Sequence, residues 1–169
     1  MSDNPQRDVD DAPESMTIVA WSGDLDRMWP TLILGSTGAA YGMSTTIFFT
    51  FWGLFPLVRD DVRITGTDAM TKALAGMNRP GMRHMKLSKL HLAGAGPWMM
   101  KRLARQKNVA HPAELVEMCT ELGVNLWPCE MTMDLLGLRR DQLIEGVGEP
   151  VGAATALSAM SRSQISLFI

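Results

Sequence analysis

The chain is poor in residues that staple or ligate. Its two cysteines, Cys119 and Cys129, cannot build a disulfide framework or a four-cysteine zinc site, and they lack CxxC spacing. His84, His91 and His111 are scattered without a ligand pattern, so no metal is expected. No GxGxxG follows the first apolar run and no phosphate-loop motif occurs, so dinucleotide and phosphate-loop binding lack support and no cofactor is expected. Base is not in excess either. Sixteen Lys and Arg stand against 18 Asp and Glu, so the chain as a whole does not read as a nucleic-acid binder. A secretory start is also lacking. Residues 1–15 carry five acids, one base and two prolines with no apolar periodicity, and they read as a disordered acidic tail. A cytoplasmic location is the expectation.

What is present is enough for a core. Apolar residues make up 46% of the 169, which excludes global disorder. A domain of this length buries about 70% of the surface its unfolded chain exposes. Fourteen methionines against five phenylalanines read either as core filler or as an adaptable partner surface. From Met28 to Val58 no residue is charged, long enough by count for a membrane span. Pro30, Gly35, Gly38 and Gly42 among many Ser and Thr make a poor lipid-facing surface, however. The stretch divides at Gly42 into a helix and a strand, both buried, and that reading is preferred.

Along residues 16–169 the pattern alternates. Met16–Trp21 reads as a buried first strand, Ser22–Asp24 as a turn, 25–41 as a helix with a small-residue face, and Thr45–Phe51 as a second strand. This βαβ start implies a parallel sheet. Residues 59–107 form a basic, Met-rich insertion with eleven Lys or Arg against three acids. It reads as a subunit contact, an anion-attracting rim, a lid or an ordinary solvated face, with a helix from about Pro97 to Gln106. A helix opens at His111-Pro112 and runs to Leu122, with Leu115, Met118 or Cys119, and Leu122 inward. A strand at 124–128 follows, then a helix from Met133 capped by Thr132. Asp141–Val147 reads as a helical turn and link, 150–161 as the last helix and 164–169 as a terminal strand.

In an open parallel sheet the chemistry gathers where strands end and helices begin. Three such places are legible: Ser22, Gly23 and Asp24; Trp52 and Gly53; and Cys129, Glu130 and Met131. Only the last carries a good nucleophile. A cysteine ahead of a helix N-terminus meets unpaired N–H groups that favour thiolate, whereas Glu130 opposes this unless it points outward. The alternative for Cys129 is a small buried hydrophobe. Cys119, mid-helix beside the inward stripe, reads as packed and inert. A resolving role for it, closing a disulfide with Cys129, requires that helix to lie next to that strand.

SGDLDR, GMSTTIFFTFWGL, KLSKLHLAGAGPWMMKRL and ELGVNLWPCEMTMDLLGL occur in this order. Together they resemble the DsrE/DsrF-like sulfur-relay proteins, and within them the branch labelled peroxiredoxin-like, although no thioredoxin-like redox motif is present. The resemblance covers residues 16–169. It implies a single-domain, flavodoxin-like three-layer α/β sandwich with a mainly parallel sheet of about five strands, assembled into homo-oligomers. It also implies that sulfane sulfur is carried as a cysteine persulfide and exchanged with TusA-like or rhodanese-like carriers. The family cysteine maps onto Cys129 in PCEMTMDLLG, so a sulfurtransferase or persulfide carrier with a solvent-reachable Cys129 is expected. The competing expectations are a non-catalytic oligomeric scaffold with a buried Cys129, and membrane association.

Overall fold

The computed structural model describes residues 14–62 and 79–169. The expectations for residues 1–13, and for the part of the basic insertion at 63–78, lie outside the described residues. Four strands form one parallel sheet in the order β3-β2-β1-β4: β1 (Ser15–Ala20), β2 (Ser44–Phe49), β3 (Asn125–Pro128) and β4 (Ile165–Phe168). The helices are α1 (Leu25–Ala40), α2 (Ala95–Gln106), α3 (Pro112–Glu121), α4 (Glu130–Leu136) and α5 (Ala153–Arg162). Residue 15, assigned to the tail by sequence, opens β1, and the Glu14 carbonyl accepts the Ser44 N–H at 2.8 Å.

The sheet has four strands where about five were expected. Residues 148–151 run beside β3 but make only one bridge, Cys129 with Val151. β1 and β2 are buried on both faces, which is why they read as unbroken apolar runs. Ile18, Ile47 and Leu126 face a large core under α1 and α3. Val19 and Phe48 face a small one under α5. Close contact between α1 and the sheet depends on Gly35, where a Cβ would collide with the Ile47 side chain. The uncharged stretch 28–58 thus becomes α1, β2 and a 3-10 turn (Phe51–Leu57) rather than a span. No helix among the described residues is long and apolar enough to cross a membrane.

Several boundaries differ from expectation for local reasons. α2 begins at Ala95, because Pro97 in the first turn lacks only an N–H that has no partner there. α4 begins at Glu130 with Cys129 as its N-cap, and Thr132 is occupied elsewhere instead of capping. α5 begins at Ala153, since residue 151 is still paired to β3. In place of a helical turn spanning 141–147, only Arg140–Gln142 winds into a 3-10 turn. On α3, Leu115 and Cys119 are buried as expected, but Leu122 is exposed and Val116 is buried in its stead, so the inward stripe is shifted toward the start of the helix. The methionines divide between both readings: Met82 and Met85 are core, whereas Met99 and Met100 are exposed on α2.

Candidate functional site

The carboxyl edge of the sheet is built by three loops that continue the ladder one step beyond the strands. The Thr50 N–H donates to the Ala20 carbonyl and the Cys129 N–H to the Phe49 carbonyl, each at 2.9 Å. Trp21, Thr50 and Cys129 therefore stand in one row. Adjacent strands lie about 4.8 Å apart, so the ends of that row are roughly 10 Å apart. Gly53 crosses so close to the first loop that a Cβ there would overlap the Ala20 carbonyl. The next residue along from Thr50, Phe51, has φ +50°, a left-handed backbone that a bulky side chain seldom adopts. Its N–H donates to Thr132 Oγ1 at 3.0 Å, and Thr50 and Thr132 share a hydroxyl contact at 3.3 Å. Thr132, only 2% exposed, thus ties the β2 loop to α4. Its three-residue distance from Cys129 was the available signal for this role.

Cys129 is 1% exposed, against the expectation of a solvent-reachable thiol. Its register gives the reason: it shares the face of Val19 and Phe48 and lies with them and Ala156 of α5 in one buried apolar cluster, against which Trp127, Val151 and Met160 pack. Glu130 points outward and Met131 is 70% exposed. The described part of the basic insertion contributes no residue to the apolar cluster around this thiol. It is fastened to the α1 side instead, with the Gly81 N–H donating to Phe55 O (2.9 Å) and the Leu25 N–H to Lys86 O (2.7 Å).

Cys119 lies on the other face, between α1 and α3, with its thiol toward the Leu32 carbonyl at 3.6 Å. Burial pushes this thiol up to about 11, so it stays protonated at neutral pH. The sheet separates the two cysteines, and the condition for a resolving disulfide is not met.

A cleft of about 400 Å³ opens at the ends of β1 and β2. It gathers Ser22, Gly23, Asp24 and Trp52, but neither Cys129, Glu130 nor Met131 lines it, so the three edge positions do not form one pocket. Ser22 Oγ donates to the Asp24 carboxylate at 3.1 Å, while the Asp24 N–H returns to Ser22 Oγ at 3.3 Å. Arg79, His84 and Lys86 supply a basic wall that sequence reasoning recognised as a possible anion rim without placing it here.

Two relatives match nearly end to end. Uncharacterized protein YrkE of Bacillus subtilis is 37% identical over 153 residues, covering 90% of this chain and 95% of that protein. Sulfur carrier protein DsrE2 of Allochromatium vinosum is 34% identical over 167 residues, covering 92% of this chain and 98% of that protein. The family model for DsrE/DsrF/DrsH-like proteins matches residues 12–168, and with that span the chain belongs to the DsrE/DsrF/DrsH-like family.

Proposed function

We propose that this protein is a sulfur-relay protein that holds sulfane sulfur as a persulfide on Cys129. The observation that carries the reading is the position of Cys129 at the β3-to-α4 junction, in a family whose member DsrE2 bears the name sulfur carrier protein. Cys119 is buried on the other face of the sheet, where burial keeps its thiol protonated at neutral pH. In the loading step the Cys129 thiolate attacks the outer sulfur of a donor persulfide. A new S–S bond forms, the donor's S–S bond breaks, and the donor leaves as its thiolate with no net oxidation. With thiosulfate as donor, sulfite leaves. An acceptor thiolate on a TusA-like or rhodanese-like carrier then takes the outer sulfur by the same exchange. The apolar surround of Cys129 keeps water from a stored persulfide, and loading requires α5 to lift.

The burial of Cys129 is also what the scaffold reading expects. Time-resolved alkylation of the native protein, followed by peptide mapping, separates the two. Under the relay reading Cys129 is modified well ahead of Cys119 while the protein stays folded. Two thiols that react together, and only on global unfolding, would overturn it.

A further inference from the structure

A hollow of about 580 Å³ lies along α3. Val116, Glu117, Thr120 and Glu121, which recur at helical spacing, supply its α3 side. Val58, Asp60, Met82 and residues 144–146 complete much of the lining. Val58, Met82 and Val116 are buried, whereas Glu117, Glu121 and Glu145 are exposed, so the hollow is apolar at depth and acidic at its rim. Among the described residues no ion pair engages these three glutamates, and no Lys or Arg lines the hollow. Asp60, the fourth carboxylate, is paired with Arg83 at 3.2 Å.

The complementary surface is on α2, which contains no acid. Trp98, Met99, Arg102 and Leu103 stand at i, i+1, i+4 and i+5, so they share one side of the helix, and all four are exposed. The Arg102 guanidinium lies 5.7 Å from the centre of the Trp98 ring, and Arg105, one turn beyond, is exposed as well. Neither arginine is paired with a carboxylate among the described residues. Exposed Trp and Met beside Arg is the composition of an interface centre. Helix and hollow are neighbours on one surface. Asp60 of the lining holds Arg83, and the Arg83 carbonyl accepts from Lys101 of α2 at 3.2 Å. No α2 residue lines the hollow of its own chain. A two-fold axis through such a surface presents helix to hollow twice. We propose that two copies of this chain associate here, α2 of each lying along the acid-rimmed hollow of the other, with Arg102 and Arg105 against Glu117, Glu121 and Glu145. The inference stands apart from the relay reading, since no residue of the Cys129 cluster lines the hollow.

Sedimentation equilibrium of the full-length protein tests it, with two charge-reversed variants, Glu117→Lys/Glu121→Lys and Arg102→Glu/Arg105→Glu. The wild type is expected to be at least dimeric and to dissociate as salt is raised. In each variant alone, like charges meet at both contacts, and the dissociation constant is expected to rise about tenfold or more. Mixed in equal amounts, the two variants are expected to associate again. The reversed hollow then meets the reversed helix, and the unaltered hollow meets the unaltered helix. All four replaced side chains are exposed, and recovery on mixing shows that neither variant has lost its fold. A monomeric wild type overturns the proposal, as does association that neither variant weakens. Variants that stay apart when mixed overturn it too.

Discussion

Cys129 and Thr132 sit three residues apart, and together they define the carboxyl edge at the scale of single side chains. The cysteine is the N-cap of α4 and the threonine faces the β2 loop, where its hydroxyl holds Phe51 in its left-handed conformation. Replacing Thr132 by Val keeps the shape but leaves the Phe51 N–H without its acceptor. A cost of about 1–3 kcal/mol in unfolding free energy is expected. Chemical denaturation of the variant measures it, and a change within a few tenths of a kcal/mol would show that the tie contributes nothing. Cys129 was legible as the candidate nucleophile because its position follows from counting along PCEMTMDLLG. Whether it is buried is left open by the sequence, because Ala156 of its cluster comes from a helix 27 residues later and from the far side of the sheet order. Sequence order carries no information about which face a late helix will cover.

Two helices carry testable consequences as elements. α3 is capped by a box in which the His111 Nδ1 accepts the Ala113 N–H at 3.3 Å and Glu114 accepts the His111 N–H at 2.8 Å. Burial first, and then the nearby charge of Lys101, hold the His111 ring below the usual histidine range. Folding therefore favours the neutral ring. The cap's contribution is complete above the ordinary histidine value and is lost as pH falls through the lowered one. Melting temperatures compared between pH 7 and 5 are expected to fall further in the wild type than in His111→Asn, whose amide caps at either pH. Equal pH dependence in the two proteins would contradict this. α5 shares the apolar cluster of Cys129 through Ala156, the one residue it buries fully, and we propose that it is the cover of this thiol. Ala156→Gly costs about 1 kcal/mol of helix stability, which corresponds to roughly a fivefold larger open population. The alkylation rate of Cys129 is expected to rise by that factor, and an unchanged rate in a folded variant would mean that α5 is not the cover. β1, α1 and β2 were legible within a residue or two, since period and glycine punctuation fix them locally. The starts of α4 and α5 were not, because each depends on a partner elsewhere in the chain.

At the scale of the whole molecule the sheet divides two chemistries. On the α1 and α3 side lie the large core, the inert Cys119 and the described part of the basic segment, which forms the charged wall of the cleft. On the α5 side lie the small apolar cluster and Cys129. α2 exposes Trp98 (61%), Met99 and Leu103, and we propose that the expected homo-oligomer contact forms on this helix. The layered α/β class was legible from the βαβ opening and from the family motifs. The division of the cysteines between faces was not, because it is fixed by strand order and register. Of these two thiols, Cys129 is the one proposed to carry sulfur. Intact mass after incubation with a persulfide donor or thiosulfate tests it on the wild type, Cys129→Ser and Cys119→Ser. A gain of one sulfur atom is expected in the wild type and in Cys119→Ser, and none in Cys129→Ser. No gain in any of the three, or an undiminished gain in Cys129→Ser, would contradict it.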